Sequence, residues 1–115
     1  MSDQPTEPEP PYHLFLEQHE VPVAASALRL FIADEHRESG IRRLAREVLA
    51  GLEQPADAEG ILTVTLTPPQ MKITHSAVRL LLNDLQREQA DERAILHAIL
   101  DKLPDEHTMR AITLG

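Results

Sequence analysis

Ile61-Leu62-Thr63-Val64-Thr65-Leu66-Thr67-Pro68-Pro69-Gln70-Met71 is the stretch whose reading decides the fold. Leu62, Val64 and Leu66 alternate with Thr63 and Thr65, the two-residue period of a strand with one buried face. The strand then runs into a helix start. Thr67 can accept the orphan N–H at the third helical position, Gln70 can reach back to the cap N–H, and Pro68 stands where a missing N–H costs nothing. Leu66 before this capping box and Met71 after it are placed as a hydrophobic staple, which fixes the angle between strand and helix.

Downstream, Met71, His75, Val78, Leu82 and Leu85 follow one line of the helix, and Ile73, Ala77, Leu80 and Leu81 widen it. Such a wide apolar face wants cover on more than one side. Glu88, Gln89 and Glu92 interrupt it, which predicts a break near Gln89 to Asp91, with Asp91 capping a new helix through Ile95, Leu96, Ile99, Leu100 and Leu103. One long bent helix over 67–103 is the alternative. Pro104 closes this part, and Thr108 to Leu114 reads as a short helix or a last strand.

Upstream, Tyr12, Leu14 and Leu16 alternate with His13, Phe15 and Glu17, a second short strand. Leu28, Phe31 and Ile32 give a helix beginning near Val23, with Gly40 marking a turn or helix end. Ile41, Leu44, Ala45, Val48, Leu49 and Leu52 then recur at helical spacing up to Pro55, and Pro55 to Gly60 reads as a linker. Residues 1–11 hold four prolines and three acidic residues, the composition of a disordered tail.

Ser26 to Asp34 aligns with Ser76 to Asp84 at an offset of 50 residues, with five of nine identical. The same offset lays Tyr12, Leu14 and Leu16 onto Leu62, Val64 and Leu66. With one residue inserted, Leu44, Val48, Leu49 and Leu52 fall on Ile95, Ile99, Leu100 and Leu103, so the order strand, helix, helix is written twice. Lone strands leave backbone groups unpaired, and two half-units can satisfy each other by pairing theirs. The expected fold is α+β and predominantly helical: one domain over 12–103, made of half-units 12–54 and 61–103, whose strands form a small antiparallel ribbon within the chain or across a dimer. Residues 104–115 are a C-terminal extension.

Composition narrows function less. The chain has 115 residues, no cysteine and a formal net charge of −8. Thiolate metal sites and thiol nucleophiles are thereby excluded, a reducing cytoplasmic setting is permitted, and acidity works against nucleic acid and anionic membranes. No stretch approaches the apolar length of a membrane helix. Six histidines lack the spacing of a zinc motif, and no phosphate loop or nucleophile elbow occurs, so neither a metal, a cofactor, a small-molecule substrate nor a catalytic residue is expected. Arg37, Arg42, Arg43 and Arg46 form one basic cluster, offset by Glu38 and Glu47 at i,i+4 spacing.

The strand-helix-helix layout, with the Leu66 to Gln70 corner, resembles the ribbon-helix-helix DNA-binding fold in a tandem version. The resemblance implies that outward strand side chains, here His13, Phe15, Glu17, Thr63 and Thr65, would read bases. The leading expectation is instead a non-catalytic intracellular protein–protein interaction or regulatory module that docks a protein partner or forms a homodimer through its apolar helix face. Its contact residues are expected among Met71, His75, Val78 and Leu82, the matched pair Arg29 and Arg79, and Arg42, Arg43 and Arg46. A ribbon-helix-helix-like transcriptional regulator is the alternative.

Overall fold

The computed structural model describes residues 12–34 and 36–112; the proline-rich segment 1–11 and the last three residues lie outside this range. In order the elements are β1 (Tyr12–Glu17), α1 (Val21–Ile32), α2 (Ser39–Leu52), β2 (Ile61–Leu66), α3 (Pro68–Asp84), α4 (Ala90–Asp101) and α5 (Glu106–Arg110), with a 3₁₀ turn at Arg87–Gln89 before α4. The chain is predominantly helical, and β1 and β2 pair with each other, antiparallel, inside one molecule.

The register pairs residue i with residue 78 − i, from Tyr12 with Leu66 to Glu17 with Ile61. At an offset of 50 only Leu14 and Val64 are both equivalent and paired. Leu14, Leu16, Leu62, Val64 and Leu66 point into the core, while His13, Phe15, Glu17, Thr63 and Thr65 face outward. Helices back the ribbon on its inner side: α1 packs on α3, α2 on α3 and β2, and α4 on α3 and α1. Ala27 and Ala77 are both fully buried, as are their neighbours Leu28 and Val78, where these small side chains let α1 and α3 approach.

The corner at Thr67 forms as the sequence predicts. Gln70 N–H donates to Thr67 Oγ1 at 3.3 Å and Thr67 N–H to Gln70 Oε1 at 3.0 Å, with Leu66 and Met71 buried on either side. Gln70 Nε2 also donates to Glu47 Oε1 at 3.0 Å, tying the corner to α2. Before it, Asp57 Oδ1 accepts the N–H groups of Glu59 and Ile61, and Gly60 takes φ +82°, a left-handed turn that a Cβ would strain.

Several boundaries differ from expectation. Residues 67–103 are two helices, but the break comes earlier, because Gln86 and Gln89 cap each other reciprocally and Arg93 Nη1 donates to Leu82 O at 2.9 Å, satisfying a carbonyl left open at the end of α3. Asp91 consequently lies in the first turn of α4 rather than at its cap. Gly40 lies inside the first turn of α2, where a Cβ would meet nothing within 4 Å. Of the two alternatives for the C-terminal segment, the described residues take the helix, α5: Asp105 Oδ1 accepts Thr108 N–H at 2.8 Å, and Met109 and Ile112 close the core.

Candidate functional site

The residues singled out on α3 divide. Met71, Val78 and Leu82 are 0%, 1% and 7% exposed, so the apolar stripe expected to greet a partner is instead the centre of the core. α1, α2 and α4 cover it from three sides, the cover that so wide a face requires. His75, on the edge of that stripe, is half-buried, and Arg79 is exposed. Arg43 and Arg46 are exposed on α2 and Arg42 is half-buried there; neither the Glu38–Arg42 nor the Arg43–Glu47 ion pair forms among the described residues. Arg37 leaves this cluster, its guanidinium carbon lying 3.9 Å from the centroid of the Phe31 ring and its Nε 3.6 Å from Asp34 Oδ2.

Two surfaces remain that α3's apolar face does not supply. The first is the outer face of the ribbon. His13 Nδ1 and Thr65 Oγ1 lie 3.2 Å apart across the strands, and beside them Phe15, 55% exposed, is the one large apolar side chain open to water among the described residues. A groove of about 460 Å³ runs along β1, lined by Tyr12, Phe15 and Ile61 with His13, Glu17 and Lys102 at its margins. Helix α2 packs on β2, where Gly51 brings the helix backbone close to Val64. On the other strand, the end of α4 reaches β1 through Lys102, whose ammonium donates to Phe15 O at 3.0 Å and whose carbonyl accepts the Tyr12 hydroxyl. That ammonium also pairs with the buried carboxylate of Glu20, which turns inward and accepts Glu17 N–H at 2.8 Å. Burial raises the Tyr12 phenol above its ordinary pKa.

The second surface is a cleft of about 410 Å³ between α3, α5 and the α1–α2 connection. Lys72, Ser76, Arg79 and Asn83 recur at steps of four, three and four along α3 and line it with His75; Arg110 comes from α5, Arg37 from the connection, and Leu80 and Met109 are its apolar lining. Lys72 Nζ donates to Ile112 O at 2.7 Å, which pins the chain after α5. The same segment is held by its cap, where the Thr108 backbone and hydroxyl keep the Asp105 carboxyl below the usual carboxylate range. Sequence reasoning marked His75 and Arg79 but missed Lys72 and Arg110. The polar steps along α3 were readable as periodicity, whereas nothing in the sequence brings Arg110 or Arg37 beside them.

His13, His19, His36, His97 and His107 are exposed. Among the described residues Glu17, His19 and Glu20 place one ligand atom each within 4.8 Å of one another, but the Glu20 carboxylate is already held by Lys102. No helix of the described residues is long and apolar enough to cross a membrane. Comparison with protein families, with curated proteins and with solved structures finds no match to this chain.

Proposed function

We propose that the protein is a non-catalytic interaction or regulatory module of the cytoplasm, built from two copies of one β-α-α block, that docks a protein partner through the outer face of its ribbon. The observation that carries this reading is Phe15, an aromatic anchor beside the Tyr12–Ile61 groove and the one large apolar side chain open to water among the described residues. Exposed aromatics next to apolar hollows are the side chains that dominate binding energy at protein interfaces. The docking face assigned to α3 from the sequence moves to the ribbon, because α3 spends its apolar side chains on the core.

A comparison of the native chain with Phe15→Asp tests this. A protein captured by the native chain from its own cell extract and lost with Phe15→Asp, at unchanged melting temperature, supports the reading; recovery of the same proteins by both chains overturns it. Sedimentation equilibrium distinguishes a second copy from a foreign partner. Thr63, Thr65 and His13 on the same outward face favour the DNA-binding alternative. Retardation of duplex DNA at low salt that collapses as salt rises would select that reading over the protein partner.

A further inference from the structure

We propose that the cleft between α3, α5 and the α1–α2 connection binds a small phosphate-bearing molecule of nucleotide size. The inference is independent of the ribbon face and of whatever docks there. Its first support is charge: Arg37, Lys72, Arg79 and Arg110 line the cleft and, among the described residues, no carboxylate does, the Asp34 carboxylate pairing with Arg37 from outside it, in a chain whose net charge is −8. Cations grouped along a concavity raise the local positive potential, which favours an anion seated there.

The second support is placement. The four cations come from three separate elements, and two are held in position by the fold. Arg37 is stacked on Phe31, and Lys72 uses one ammonium proton on Ile112 O, leaving two for a ligand. Arg79 makes no hydrogen bond or ion pair among the described residues, and Ser76 and Asn83 add neutral donors along the same helix. Guanidinium groups match phosphate oxygens in planar, two-pronged hydrogen bonds, and several converging donors suit the three-oxygen terminus of a phosphate better than a lone carboxylate.

The third support is size. A cleft of about 410 Å³ with Leu80 and Met109 in its lining has the volume and the apolar contact of a small-molecule site. The ligand's phosphates would face Lys72 and Arg79, with its remaining body over the soft Met109 side chain.

Titration of the ¹⁵N-labelled full chain with ADP and with inorganic pyrophosphate, followed by calorimetry, tests the proposal. Saturable shifts of the Ser76, Arg79, Asn83 and Arg110 amides, weakening as sodium chloride is raised, are expected. Arg79→Gln should weaken binding about tenfold or more, the scale of one charge-assisted contact. Arg43→Gln, an exposed arginine of α2 outside the cleft, should bind as the native chain does. Arg79 is exposed, so its substitution leaves the core intact, and far-UV circular dichroism verifies this. Equal shifts from sulfate at matched ionic strength, or undiminished binding by Arg79→Gln, would overturn the proposal. Binding of a single-stranded oligonucleotide without binding of ADP or pyrophosphate would also overturn it, by assigning the cations to a nucleic acid.

Discussion

Tyr12 shows how one side chain joins distant parts of the chain. Its ring packs against the core at the start of β1 while its hydroxyl donates to Lys102 O, a residue 90 positions away. Burial raises the phenol's pKa, so the folded state holds that proton more tightly than the unfolded chain. The associated stability is intact below the unfolded pKa of about 10 and is lost as pH climbs from there through the raised folded value. Unfolding by urea should therefore become easier above that pH. Tyr12→Phe should lose about 1 kcal/mol at neutral pH with its hydrogen bond and show a flatter alkaline limb. An alkaline limb as steep in Tyr12→Phe as in the native chain would assign the pH dependence to other groups.

Between residues and the whole, the strand-to-helix corner acts as a unit. Thr67 and Gln70 satisfy each other's backbone N–H groups, and Gln70 extends the contact to Glu47 of α2. Thr67→Ala and Gln70→Ala should each cost about 1 kcal/mol, as lost caps do. Because the two bonds share partners, the double variant should cost less than the sum, and a denaturation cycle measures the difference. A similar reciprocal cap at Gln86 and Gln89 ends α3's reach, yet the fading of the apolar stripe at Glu88 to Glu92 points to a later break. Apolar periodicity reports which face is covered; it says less about where backbone N–H groups find their partners.

Across the whole molecule, the two units are interlocked, so neither should unfold alone. β1 has its ladder partner only in β2, and Lys102 of the second unit pairs with Glu20 of the first, a carboxylate sealed in the core while the lysine is 32% exposed. Lys102→Met leaves Glu20 buried without its cation and should cost about 2 kcal/mol, at or below the low end for a broken buried pair because one partner still touches water. The loss should appear as one cooperative transition, with amide protection falling together in β1 and α4. Protection lost in α4 alone would mean that the halves fold separately. The same interlocking creates both candidate surfaces. The cleft needs α3, α5 and the α1–α2 connection at once, and the groove needs Lys102 beside β1.

Local chemistry was enough to determine the strand over residues 62–66, the capping box at Thr67, the order of strand and helices in each unit, and which side of each strand is apolar, since all of these depend on neighbours within a few positions. Only the tertiary structure decided that the strands pair within one chain, that Met71, Val78 and Leu82 are enclosed, and that Arg79 stands beside Lys72 and Arg110 while its matched residue Arg29 lines no part of that cleft. The physical reason is that an apolar side chain carries the same signal whether it faces a core or a partner. Charges far apart in sequence become neighbours only when packing fixes the path between them.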